Sequence, residues 1–125
     1  MQTTTRIHAT ILEKTKELSQ EIAHLEKQLF ELSIDREIAD NKVKLWEAEL
    51  ELEIAEDLSL RNEGMRKAQK TITSSTNKDY LALVADQQQI DRQIAKLNIE
   101  LDRRKRMFAI AKLEAKLEIA KIHEN

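Results

Sequence analysis

The chain of 125 residues carries 21 basic and 23 acidic side chains, a net charge of −2, no proline, no cysteine and one glycine, Gly64. Without cysteine there are no disulfides or thiolate metal sites, and a balance so near neutrality argues neither for a general polyanion binder nor for a mimic of DNA charge. Charged residues at 35% and aromatics at 3%, with almost no turn formers, describe long helices packed side by side, as one domain or one elongated rod, and exclude a sheet.

The first predicted element is a helix over residues 4–60, roughly 80 Å long at 1.5 Å per residue. From Leu18 its apolar residues fall alternately four and three apart, through Ile22, Leu25, Leu29, Leu32, Ala39, Val43, Trp46 and Leu50. That spacing is a heptad seam, with Arg36 and Glu53 as polar guests. After Leu50 the line drifts to Ile54 and Leu58, a local relaxation of supercoiling. The residues that precede the seam, 1–5, have no basic and apolar signal pattern, and the longest apolar run, Met107 to Ala111, is far too short for a bilayer. A cytoplasmic protein with no membrane contact is therefore expected.

An interruption follows over residues 62–78. Asn62 reads as the N-cap of a short helix from Glu63 to about Ile72, with an acid in its first turn. The run Thr73-Ser74-Ser75-Thr76-Asn77 is expected to break it, since these side chains compete for backbone hydrogen bonds. Thr76 with Asp79 reads as a capping box that opens the last helix, over residues 79–123. That helix repeats the alternation through Leu83, Gln87, Ile90, Ile94, Leu97, Leu101, Arg104, Phe108, Ala111, Ala115, Glu118 and Ile122.

The fold class expected is all-α: an antiparallel coiled-coil hairpin that associates further into a four-helix bundle. Facing seam positions whose numbers sum to 140 set large residues against small ones, as in Trp46 with Ile94, Leu32 with Phe108 and Leu25 with Ala115. The same register sets Arg36 against Arg104, a layer that needs Asp35, Asp40, Glu100 and Asp102 beside it. It also leaves residues 4–17 overhanging, with Ile7, Ile11 and Leu12 as a surface for a protein partner.

A second apolar line runs along the first helix opposite the seam, through Ile34, Ile38, Leu45, Ala48, Leu52 and Ala55; Ile110, Leu113, Leu117 and Ala120 do the same on the last helix. A helix apolar on two faces is buried on two sides. The hairpin covers one of them, so self-association as a homodimer or higher homo-oligomer is expected.

Chemistry has little foothold. His8, His24 and His123 lack the spacing that grips a metal from one helix face, the carboxylates flank seams as ion pairs, and no glycine-rich loop is present to cradle phosphate. An enzyme, a cofactor or a metal is not expected. The strongest charge feature is Arg103-Arg104-Lys105-Arg106, with Arg66, Lys67 and Lys70 beside the turn. These residues define nucleic-acid binding as the alternative function, although consecutive basic residues point around a helix and few can face one phosphate backbone.

The segment Asn62-Glu63-Gly64-Met65-Arg66-Lys67-Ala68, followed by Asp79-Tyr80-Leu81-Ala82-Leu83 and a long charged helix, resembles small coiled-coil proteins of tailed phages and prophages. The resemblance covers residues 62–111. It implies a product encoded near early recombination genes, acting in the host cytoplasm. The partner it implies is a protein of host or phage nucleic-acid processing or of host defence, inhibited or scaffolded by contacts along helix faces.

Overall fold

The computed structural model describes residues 2–124, and side chains for residues 9–123. It contains three α-helices, α1 (Gln2–Glu56), α2 (Glu63–Thr76) and α3 (Lys78–Glu124), with no strand among the described residues. The all-α class therefore holds. The chain divides into a terminal unit, Met1–Glu31 with Ile94–Asn125, and a middle unit, Leu32–Gln93.

Side-chain chemistry sets the helix ends. α1 stops at Glu56, short of residue 60, because Asp57 starts a turn of its own. Its Oδ1 accepts from the Ser59 amide at 2.9 Å and the Ser59 hydroxyl at 2.6 Å, and these two bonds hold the Asp57 carboxyl below its ordinary pKa. Asn62 caps α2 as its sequence implies, accepting from the Met65 amide at 2.9 Å.

The hydroxyl run does not break α2. Thr71 donates to the Lys67 carbonyl, and Ser75 and Thr76 both donate to the Ile72 carbonyl, so the hydroxyls bond back along the helix instead of competing with it. Only Asn77 leaves helical geometry, at φ −75° and ψ 119°. Its Oδ1 accepts from the Tyr80 amide at 3.0 Å, so Asn77, not Thr76, opens α3.

In the middle unit three polar contacts fix how α3 lies on α1. Arg36 Nε donates to Asp91 at 2.6 Å, Gln87 donates to Asp40 at 2.7 Å and the Tyr80 hydroxyl donates to Glu47 at 3.0 Å. The numbers in each pair sum to 127 (36 and 91, 40 and 87, 47 and 80), so across this unit the two segments run in opposite directions. Trp46 stacks on Tyr80 with centroids 4.4 Å apart. The expected layer of Trp46 with Ile94 is thereby replaced.

The register differs from the expected sum of 140 by about two heptads, and α2 is the reason. A heptad seam slips by whole repeats without taking an apolar residue off the seam, so periodicity alone leaves the choice open. α2 folds back on the end of α1, where Lys70 Nζ meets Glu51 at 2.7 Å and Ile54 and Ala55 face Glu63, Arg66 and Lys67. Leu50 and Ile54 are buried in this region. The seam's last turns are taken, so α3 joins it lower down, from Trp46.

In the terminal unit Arg104 Nη1 meets Glu21 at 3.0 Å, a pair that sums to 125, and Arg104 Nε also binds Glu100 at 2.9 Å. Leu18, Leu101 and Ala111 are buried here, Ala111 completely. The seam positions at both ends of this unit, Ile11 and Thr15 on α1 and Ala115 and Glu118 on α3, are half-buried. The expected overhang is therefore corrected. Carried along one residue for one, the pairing of 104 with 21 brings 115 level with about 10, so α3 accompanies the part of that stretch from about residue 10 to residue 17; the side chains of residues 4–8 lie outside the described residues.

Candidate interaction surface

Apart from the polar guest Glu53, which is exposed, the seam residues from Ile11 to Ile54 on α1, and from Tyr80 to Glu118 on α3, are buried or half-buried. On the reverse face the values invert. Ile34, Ile38, Leu45 and Leu52 in the middle unit, and Ile110, Leu113 and Leu117 in the terminal unit, are between 43% and 62% exposed. The intervening Asn41, Ala48, Ala55 and Ala120 are exposed as well. Isolated exposed leucines are ordinary, but four large aliphatics that recur along one helix face form a continuous stripe. Leu12 is also exposed, Ile11 is half-buried, and the side chain of Ile7 lies outside the described residues.

The two arginines expected to face each other each have acids instead. Arg36 is bound by Asp40 and Asp91, and Arg104 by Glu21 and Glu100. Of the candidate basic residues, Arg104 is thus turned inward by carboxylates. Lys70 binds Glu51, Lys67 lies 3.8 Å from Glu63 and Arg66 donates to the Leu60 carbonyl at 3.4 Å. Arg103, Lys105 and Arg106 are exposed. The basic surface is narrower than the sequence count suggests.

A polar clasp in the middle unit escapes a reading that looks only for apolar periodicity. Tyr80 stacks on Trp46 and donates to Glu47, while one turn along α1 Glu51 holds Lys70 of α2. The Glu47 carboxylate, helped by partial burial, raises the Tyr80 pKa above its ordinary value, and Glu51 raises that of Lys70. The signal was present in the spacing: Tyr80 continues the α3 alternation three residues before Leu83, and Trp46 lies on the α1 seam.

Other concavities are shallow. One groove of about 280 Å³ is bounded by Asp35, Lys42 and Asp86 around Ile38, Leu83 and Ile90. Among the described residues no three His, Asp or Glu side chains converge as metal ligands would, and no helix is long and apolar enough to cross a membrane. Comparison with protein families, curated proteins and solved structures finds no match to this chain.

Proposed function

We propose that this is a non-enzymatic interaction protein: an antiparallel coiled-coil hairpin that self-associates as a homodimer, most simply a four-helix bundle, and binds a protein partner along its helix faces. The observation that carries this reading is the apolar stripe opposite the seam. A helix whose seam is already covered gains nothing from Ile34, Ile38, Leu45 and Leu52 unless a second surface removes them from water. At about 25 cal/mol per Å² of apolar area, burial of four such side chains contributes several kcal/mol per copy. Helix-in-groove contact supplies the mechanism, either steric occlusion or scaffolding.

The resemblance to small phage coiled-coil proteins extends the proposal to a host or phage protein of nucleic-acid processing or defence, met in the cytoplasm. In that motif Asn62 caps α2 and Tyr80 stacks on Trp46. Both do structural work, so the partner is met elsewhere, around the exposed Leu12.

Nucleic-acid binding is the second reading, favoured by the exposed Arg103, Lys105 and Arg106. Two variants separate the readings. Replacing those three residues by glutamine leaves a protein-directed activity intact and abolishes salt-sensitive DNA binding if there is any. Leu45→Glu with Leu52→Glu has the opposite pattern, disrupting self-association without touching the basic residues. DNA affinity that falls steeply between low and moderate salt, and disappears in the glutamine variant, transfers the function to the second reading.

A further inference from the structure

The charges beside the outer stripe of α1 decide which way two copies run. We infer that the second occupant of this face is another copy of the chain with α1 in the same direction, residue 34 beside residue 34 and residue 52 beside residue 52. This rests on the self-association reading above. The stripe spans residues 34–55, roughly 32 Å of helix at 1.5 Å per residue, all within the middle unit.

In a parallel pair, the residue just before Ile38, Leu45 or Leu52 lies against the residue five further on in the other copy. Glu37 then meets Lys42, and Lys44 meets Glu49; the two-fold axis repeats both, which gives four attractive contacts. All four side chains are exposed, and among the described residues none of them is engaged in an ion pair. The next contact along would set Glu51 against Glu56, but Glu51 is already neutralised by Lys70 at 2.7 Å. The antiparallel pair instead sets Lys44 on Lys44, Lys42 on Lys42 and Asp35 on Glu49, and like charges placed so are repulsive; Glu37 falls opposite Glu51, which Lys70 already holds.

Asn41 points the same way. It is the one polar residue in the stripe. Parallel pairing sets it beside the second copy's Asn41, where each amide nitrogen donates to the other's carbonyl oxygen. Antiparallel pairing sets it against Leu45 and leaves a buried amide without a partner.

The native chain lacks cysteine, so Asn41→Cys is a clean probe of direction in the full-length protein. Under mild oxidation Asn41→Cys alone is expected to form a covalent dimer with unchanged helical circular dichroism. Glu37→Lys is expected to weaken the dimer about tenfold, and Glu37→Lys with Lys42→Glu to restore it. Cross-linking only when Asn41→Cys is mixed with Leu45→Cys, or a tighter Glu37→Lys dimer, overturns the direction and leaves self-association standing. A dimer in which neither cysteine pairing forms places the interface elsewhere and also overturns it. A native chain that sediments as a 14.6 kDa monomer at micromolar concentration removes the dimer itself.

Discussion

Tyr80 is the residue whose chemistry is easiest to test. Its hydroxyl donates to Glu47 and its ring lies on Trp46, so ionisation would set a phenolate beside a carboxylate at the edge of the stack. The folded pKa is raised above the ordinary value of 10.0. The contribution is therefore fully present below about pH 10 and is lost as pH rises through the folded value. Lys70, raised by Glu51, acts in the same direction in the same part of the molecule. Thermal stability and the Trp46 fluorescence that reports the stack should fall together above about pH 10. In Tyr80→Phe the fluorescence step should be absent, while a step that persists in that variant assigns it to another group. Ala111 gives a second test, because it is completely buried and has no room to grow. Ala111→Leu should cost about 1–3 kcal/mol in urea unfolding, against about 2–5 kcal/mol for the cavity made by Leu101→Ala.

Among the elements, α2 sets the register of the middle unit. It covers the end of the α1 seam, yet none of its own residues is buried, and it is held by charges and by the Asn62 cap. Asn62→Ala should cost about 1 kcal/mol and raise amide exchange in Glu63–Thr76 before the long helices are affected. Exchange that rises uniformly through all three helices would contradict a separately held α2. This element also marks how far the sequence could be read. Heptad spacing identified the seam residues, because periodicity reports which face is covered. It did not identify the register, because every partner two heptads away fits an apolar seam equally well. The deciding contacts, Arg36 with Asp91, Gln87 with Asp40 and Tyr80 with Glu47, are polar pairs that hydrophobic patterning does not weigh. The hydroxyl run departs from its expected role for a related reason. Ser75 and Thr76 favour turns only when the backbone has none better to offer, and here the Ile72 carbonyl accepts from both within the helix.

At the scale of the whole molecule, the candidate surface was legible where it is made of periodicity and illegible where it is made of pairing. The outer stripe from Ile34 to Leu52 was visible as a second apolar line, and those side chains are exposed as that line required. The basic cluster looked stronger in the sequence than it is, because a charge count cannot show that Glu21 and Glu100 turn Arg104 inward. On the function proposed, the stripe is exposed in one copy because a second copy covers it. Sedimentation equilibrium of the full chain at micromolar concentration tests this directly, alongside Leu45→Glu with Leu52→Glu. The native chain should fit twice 14.6 kDa and the double variant 14.6 kDa with its helicity retained. A native chain that fits 14.6 kDa, or a double variant that stays dimeric, would contradict it.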